Sequence, residues 1–182
     1  MYTLHMKIKK LLVIVIAISF LSGQAAFAAA PKSLPIVSLS SSSPITFNKP
    51  GLLSTSAGWS VSEGGGTWSV GDTASIAVSF PKFSKDVEVY FTSQANLSSK
   101  NPKVVAKVFV NSKLISTITY TSAFNGGTRS LLIPANVLGS NYSNVPIKLI
   151  ISGASSPKSL GLGNDKRNLG VFLISLGIKS IS

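Results

Sequence analysis

The sequence predicts an all-β domain, a two-sheet antiparallel sandwich or jelly roll with about eight or nine strands. From Gly51 onward, short apolar runs are separated by turn residues every eight to twelve positions, a spacing typical of sandwiches. Several of these runs alternate apolar and polar residues. No segment has a helical period, so we expect two sheets that bury each other's apolar faces.

The first two clear strands lie at residues 73–80 and 87–92. In the first, Ala74, Ile76, Val78 and Phe80 alternate with smaller or polar residues, which predicts one packed face and one wet face. Because residues 81–85 form a short connection between the two runs, we expect them to be antiparallel neighbours.

Asn111-Ser112-Lys113 separates two further runs and predicts a tight hairpin, since Asn tolerates the left-handed backbone conformation. Phe124-Asn125-Gly126-Gly127 predicts a second turn, and Pro134 ends the strand that follows it. The expected strands of this half are residues 104–110, 114–120, 129–133, 146–151 and 169–178.

The N-terminus has the pattern of a secretory signal peptide over residues 1–28. A basic start at Lys7 to Lys10 precedes an apolar run, and Ala26-Phe27-Ala28 forms a small-x-small cleavage site. The apolar run is short for a membrane span. We therefore expect a bacterial protein exported to the periplasm or beyond the cell, with no integral span after cleavage, a Ser/Pro-rich linker and edge strand at 29–50, and a single sandwich at 51–182.

The chain is strongly basic. Three of its 17 Lys and Arg residues lie in the leader, which leaves 14 against 5 carboxylates, a net charge of +9. Such an excess favours anionic partners, including acidic polysaccharide and charged lipid headgroups. Nucleic-acid recognition is disfavoured, because the lysines are scattered and no helical reader or paired aromatic strand motif is present.

The composition excludes most catalytic chemistry. There is no cysteine, and the one histidine, His5, precedes the leader's apolar run, so neither thiolate nor imidazole chemistry is expected. Glu63 and Asp165 form the one plausible glycosidase pair, but the neighbouring Lys166 and Arg167 would lower the pKa of Asp165 and oppose its use as a general acid. We expect a protein that is not an enzyme.

The densest polar cluster joins two distant segments and has two interpretations. Glu63 and Trp68 lie in one segment, and Asn164, Asp165 and Arg167 lie about a hundred residues later. A guanidinium that bridges two carboxylates can tie the first and last strands together. The same groups could instead bind sugar hydroxyls beside an aromatic ring.

Two smaller features leave alternatives open. No cofactor is expected, although oxygen ligands near Asp72 or Asp165 could hold a structural calcium. Trp59 and Trp68 either share one face of a hairpin and pack in the core, or face opposite sides, with one left as a stacking platform. The run Gly64-Gly65-Gly66 predicts that the backbone passes close to a ring or to the terminal strand.

Together these motifs resemble a known family of accessory domains. The patterns are E-x-x-G-x-W at residues 63–68, Ser-Pro at 156–157, and D-x-R-x-L-G at 165–170. They resemble the non-catalytic C-terminal β-sandwich domain found on bacterial membrane glycosyltransferases and phosphoglycerol transferases. The resemblance implies a fold like that of carbohydrate-binding modules and a place in cell-envelope polysaccharide handling. It departs from the usual setting, because no catalytic or multispanning part is attached.

Three functional hypotheses follow. The first is an exported, non-catalytic sandwich that binds carbohydrate, either a cell-envelope polysaccharide or another anionic glycan. The second is a structural or interaction domain that binds an envelope protein through an exposed edge strand or basic face. The third is electrostatic attachment to anionic envelope surfaces, which would weaken steeply with salt.

Overall fold

The computed structural model describes residues 34–53, 57–83 and 85–180, so the predicted signal peptide at 1–28 lies outside the described residues. The described chain has ten strands: β1 (Ile36–Ser38), β2 (Ile45–Thr46), β3 (Thr67–Val70), β4 (Thr73–Ser79), β5 (Val87–Ala95), β6 (Lys103–Val110), β7 (Lys113–Thr121), β8 (Thr128–Ile133), β9 (Val145–Ser152) and β10 (Leu169–Ser180). They form two sheets of five strands, which confirms the predicted sandwich.

The first sheet has the order β1-β4-β9-β6-β7. In the second sheet, β2 is followed by β10, β5 and β8, and β3 pairs with the same edge of β10 as β2 does. All pairs are antiparallel except β1 and β4, which run parallel. The segment predicted as a linker and one edge strand thus provides two short edge strands, one for each sheet.

The core lies between the two sheets, and the period-2 alternation of the sequence determines which residues enter it. Side chains such as Val78, Val89, Val110 and Ile133 are buried from alternate positions of their strands. Trp59 is the largest fully buried side chain, with 1% of its surface exposed. Its indole nitrogen donates a hydrogen bond to the Ser75 carbonyl at 2.8 Å, so burial leaves this donor satisfied.

The predicted pairing of residues 73–80 with 87–92 is wrong. Strand β4 pairs with β1 and β9 in the first sheet, whereas β5 pairs with β8 and β10 in the second. The connection crosses from one sheet to the other, with Phe80 buried and Phe83 packed against the core. Tyr142 holds it by accepting from the Phe80 amide at 2.8 Å and donating its hydroxyl to the Phe83 carbonyl at 2.5 Å. A short connection therefore did not mean a hairpin here.

The predicted hairpin at Asn111-Ser112-Lys113 is confirmed. Strands β6 and β7 pair up to Val110 and Lys113, with a two-residue turn between them. Asn111 and Ser112 have φ values of 47° and 65°, the left-handed conformation that matches the twist of the flanking strands.

Two one-turn helices, α1 (Ala135–Leu138) and α2 (Pro157–Leu160), escape any analysis of helical periodicity because each is only four residues long. Ser156 caps α2 by accepting a hydrogen bond from the Ser159 amide, and Pro157 occupies the first turn. The Ser-Pro motif thus encodes a helix start. Within the described residues, no helix is long and apolar enough to cross a membrane.

Replacing Ser112 with glycine should stabilise the protein. Ser112 holds a positive φ at an exposed turn position, and a side chain disfavours that conformation by about 1 kcal/mol or more. We expect Ser112→Gly to raise the melting temperature by about 2 to 4 °C. Ser116→Gly, the same change within β7, should lower it, because glycine weakens a strand. A lower melting temperature for Ser112→Gly would contradict the assignment of strain to this turn.

Candidate functional site

The Glu63 turn is a two-residue hairpin that glycine makes possible. Glu63 and Gly66 exchange backbone hydrogen bonds of 2.8 and 3.3 Å. Between them, Gly64 and Gly65 have φ values of 56° and 110°, which residues with a Cβ rarely adopt. The turn leads directly into β3 and carries the Glu63 side chain to its tip.

The third glycine of this run lies directly against the terminal strand. A Cβ on Gly66 would lie 2.6 Å from the Leu173 carbonyl oxygen and 2.8 Å from the ring of Phe172. The sequence-based prediction that the backbone passes close to a ring or the terminal strand is confirmed. Any larger residue would push the Glu63 turn away from β10.

Arg167 joins the Glu63 turn to the start of β10. Its Nη1 donates to Glu63 Oε1 at 2.6 Å and its Nη2 to Glu63 Oε2 at 3.3 Å. On its other side, Nη2 donates to Asp165 Oδ2 at 2.5 Å, and Nε lies 3.1 and 3.0 Å from the two Asp165 oxygens. The Arg167 amide also donates to Asp165 Oδ1 at 2.9 Å, which fixes the loop around the guanidinium.

The three charges shift one another's ionisation. Hydrogen bonding to Arg167 lowers the pKa of Glu63 and of Asp165 below their ordinary values of 4.5 and 3.8. The two carboxylates raise the pKa of Arg167 in return, chiefly through the hydrogen bonds of Asp165. Both acids are therefore ionised at neutral pH, and neither can act as the protonated general acid that glycoside hydrolysis needs.

In the ion-pair cluster, defined by Glu63, Asp165 and Arg167, the charged groups use one another as hydrogen-bond partners. Donors on both edges of the guanidinium are used by the two carboxylates, although each of the three side chains remains 30 to 39% exposed. Asn164 is exposed next to the cluster and is not a partner of Arg167. The arrangement fits a structural tie better than an open sugar site, because a ligand would have to break existing hydrogen bonds.

The two tryptophans face opposite sides, the second of the two alternatives left open by the sequence. Trp59 lies opposite Ser69 and is buried, whereas Trp68 lies opposite Phe172 and is only partly buried. The Trp68 ring packs on Phe172 with centroids 4.8 Å apart and a tilt of 45°. Trp68 therefore remains a possible stacking surface on the outer side of β3.

A concave feature that combines polar and aromatic groups lies elsewhere, along the seam where the edge strands β7 and β8 meet. We call it the edge groove. It has a volume of about 590 Å³. Its lining includes Thr117, Ile118 and Thr119 of β7, Phe124 in the connection, and Thr128, Arg129 and Ser130 of β8.

Alternation along the two strands gives the edge groove its chemistry. Thr117 and Thr119 on one rim, and Thr128 and Ser130 on the other, place exposed hydroxyls along both sides. Phe124, 71% exposed, stands at one end. Hydroxyl rows beside an accessible ring are the donors, acceptors and apolar surface that a sugar requires.

Arg129 provides the charge of the groove and is held in place by its neighbours. Its Nη2 donates to the Phe124 carbonyl at 2.5 Å and its Nη1 to the Gly126 carbonyl at 3.4 Å. The guanidinium carbon lies 4.6 Å from the centre of the Tyr120 ring, within the range of a cation–π contact. Tyr120 is itself buried and bonds Ser93 at 2.8 Å; burial raises its phenol pKa.

Sequence reasoning missed the edge groove, because it treated Phe124 as part of a turn and Arg129 as the start of a strand. One clue was present: a large aromatic residue next to Asn-Gly-Gly has no strand or helix neighbour to cover it. Nothing in the sequence, however, showed that β7 and β8 would meet at one seam.

Other possible sites are less suitable. A cavity between the sheets has a volume of only about 60 Å³ and a wholly apolar lining that includes Trp59, Phe91 and Leu149, too small for a sugar ring. In the described part of the chain, no three His, Cys, Asp or Glu side chains gather in a cluster that could hold a metal. The suggested calcium positions therefore gain no further carboxylate ligands: Asp72 is exposed, and Asp165 is bound by Arg167.

Comparison with known proteins gives only distant similarities. No family model and no curated protein matches the chain. Among solved structures, it is similar to a family 35 carbohydrate-binding module from an environmental isolate, with 18% identity, a TM-score of 0.40, and coverage of 82% of this chain and 90% of that one.

Two other similarities are of the same kind. The carbohydrate-binding module CBM36 in complex with calcium and xylotriose has 9% identity and a TM-score of 0.35, with 75% and 99% of the two chains covered. A β-glucosidase from Paenibacillus barengoltzii has 11% identity and a TM-score of 0.34; 86% of this chain is covered, but it spans only 12% of the enzyme. These values are too low to assign a family or a ligand.

Removing the cation of the ion-pair cluster should lower stability. We expect Arg167→Met to reduce the melting temperature at pH 7 by about 2 to 4 °C, the effect of a partly solvent-screened ion pair in a domain of this size. Lys166→Met removes a neighbouring exposed cation outside the cluster and should have little effect. Equal melting temperatures for Arg167→Met and the wild type would show that the cluster does not act as a tie.

The same cluster predicts an acid-sensitive component of stability. Because the folded pKa values of Glu63 and Asp165 lie below their unfolded values, their contribution is complete above about pH 5 and is lost as the pH falls through the folded values. The difference in melting temperature between wild type and Arg167→Met should therefore decrease by about 2 °C or more as the pH falls from 6 to 3. A gap that is constant with pH would contradict this coupling.

Proposed function

We propose that the protein is an exported, non-catalytic module that binds carbohydrate, and that the edge groove is its binding site. The groove itself carries the proposal: a concave seam with hydroxyls on both rims and an accessible Phe124 ring at one end. A sugar can stack its C–H face on the ring while its hydroxyls bond to the threonine and serine side chains.

The charge of the groove favours an acidic glycan. Arg129 is the charged side chain in its lining, and the lining contains no carboxylate among the described residues. A guanidinium binds a carboxylate or phosphate by donating two parallel hydrogen bonds. Contacts to Phe124, Gly126 and Tyr120 hold Arg129 in position before a ligand arrives, which lowers the entropy cost of binding.

The N-terminal pattern and the motif resemblance support the cellular setting of this proposal. A leader at residues 1–28 would deliver the sandwich to the periplasm or to the exterior, where acidic envelope polysaccharides are the abundant anionic glycans. The E-x-x-G-x-W and D-x-R-x-L-G motifs resemble those of accessory domains in this same setting. We therefore assign the module to cell-envelope polysaccharide handling.

One observation favours a second candidate, the binding of an envelope protein. β7 and β8 are the terminal strands of their sheets in the described chain, so each presents backbone donors and acceptors toward the groove. An extended peptide could add to β7, which is nine residues long. A peptide added in this way would depend on the strand edge rather than on the Phe124 ring.

Affinity electrophoresis of the secreted protein through gels with acidic or neutral envelope polysaccharides tests the proposal. We expect retardation by an acidic glycan. Phe124→Ala should weaken it about 10-fold, equivalent to about 1.4 kcal/mol, through loss of the stacking surface. Arg129→Lys should weaken acidic-glycan binding while leaving any binding to neutral glycans unchanged, since the bidentate fork is lost.

Trp68→Ala is the matched control, because Trp68 is the other partly exposed aromatic candidate. Loss of binding in Trp68→Ala with retention in Phe124→Ala would move the site to the outer side of β3. Absence of binding to every envelope glycan of the source organism would refute carbohydrate binding. Co-purification of a stoichiometric protein partner, unaffected by Phe124→Ala, would favour the protein-binding alternative.

A further inference from the structure

The outer side of the first sheet has a different chemistry from the edge groove. Lys103 and Lys107 of β6 and Lys148 of β9 point outward, since the alternate positions Val104, Val108 and Ile147 enter the core. Exposed aliphatic side chains lie among them. We call this surface, defined by Lys103, Lys107, Lys148, Ile36, Leu114 and Ile150, the basic face.

Strand register places two of the lysines of the basic face, Lys107 and Lys148, beside apolar residues of the neighbouring strands. Lys107 lies opposite Ile150, while Phe109 lies between Lys148 and Leu114. Ile36 is 56% exposed, Leu114 53% and Ile150 38%. Single exposed aliphatic side chains are common on protein surfaces, but apolar groups placed beside cations on one face are a feature of interaction surfaces.

The basic face is also free of compensating negative charge. The chain has five side-chain carboxylates. Glu63 and Asp165 lie in the ion-pair cluster, and Asp86 accepts a hydrogen bond from the Ala135 amide. Glu88 faces outward on the second sheet opposite Lys179, and Asp72 belongs to the turn before β4. None of the three lysines forms an ion pair with a carboxylate of the described residues.

A shallow depression gives this face a place for an apolar group beside a cation. Its volume is about 390 Å³, and its lining includes Leu34, Phe109, Pro146, Ile150 and Lys148. Ser75 and Ser112 also line it. A largely apolar lining with one ammonium group suits a molecule that joins a hydrocarbon chain to a negative headgroup.

We propose that the basic face attaches the protein to the surface of an anionic lipid bilayer. The lysines meet lipid phosphates, and Ile36, Leu114 and Ile150 enter the boundary between headgroups and acyl chains. A soluble polyanion is the weaker match, because it would use the lysines and gain nothing from the aliphatic side chains. None of the six residues that define the face lines the edge groove, although Lys107 lies opposite Thr117 at the border between them.

Vesicle sedimentation tests the proposal. The protein is used in its secreted form, after its N-terminus has been verified, and the vesicles contain phosphatidylcholine with or without 30% phosphatidylglycerol. We expect binding to the anionic vesicles only. Lys107→Gln/Lys148→Gln should weaken it about 30-fold, because each lysine near an anionic surface contributes a factor of about 5. The control Lys158→Gln/Lys179→Gln makes the same change in net charge away from this face and should weaken binding less than about 3-fold.

A second variant separates the bilayer from a soluble polyanion. Leu114→Ser/Ile150→Ser keeps every charge and should weaken vesicle binding several-fold while leaving binding to dextran sulfate unchanged. Circular dichroism verifies that each variant is folded. Equal effects of the two lysine pairs, or no effect of Leu114→Ser/Ile150→Ser on vesicle binding, would overturn the proposal in favour of general electrostatic attraction. Glycan binding at the edge groove should be unchanged in Leu114→Ser/Ile150→Ser, which keeps every charge and replaces no groove residue, so the two proposals fail independently.

Discussion

The pairing of β10 on both of its edges is the constraint on which the second sheet depends. One edge pairs with β5 over most of its length, and the other receives β3 and β2 in succession. Close approach makes this possible: Gly66 lies against Leu173 and Phe172, and a Cβ on Gly177 would collide with the ring of Tyr90. Arg167, just before β10, fastens the Glu63 turn to this strand, so chain segments a hundred residues apart share one anchor.

The charges of the ion-pair cluster therefore serve the structure, because they connect the Glu63 turn to β10. A guanidinium that already bonds two carboxylates has little capacity left for a ligand, and lowered carboxyl pKa values remove the acid that catalysis needs. The edge groove has the opposite character. It is bordered by one edge strand from each sheet, its hydroxyls are exposed, and its arginine is positioned by backbone carbonyls rather than neutralised by acids.

Local patterns in the sequence predicted the local structure well. Alternation identified β4 and β5, Asn111 identified the hairpin of β6 and β7, and the glycine run identified a close contact with the terminal strand. The predicted pairing of β4 with β5 was wrong because a short loop can form either a hairpin or a connection between two sheets, so loop length does not distinguish them. The edge groove was not predicted for a related reason. The packing of the whole sheets determines which edge strands meet, and no sequence motif in either strand indicates this.

Strand parity and sheet order determine which residues contribute to the basic face and which to the edge groove. Outward positions of β6 and β9 include Lys103, Lys107 and Lys148 beside apolar side chains, whereas those of β8 are hydroxyl-bearing at Thr128 and Ser130. β7 belongs to both regions, since Leu114 contributes to the basic face, and Thr117 and Thr119 to the groove. If the basic face lies on a bilayer, β7 brings the groove to the rim of the contact, and a bound acidic polysaccharide would run alongside the lipid headgroups. The lysines would then lower the repulsion between two negatively charged materials, a role that suits a basic protein between a membrane and its polysaccharide.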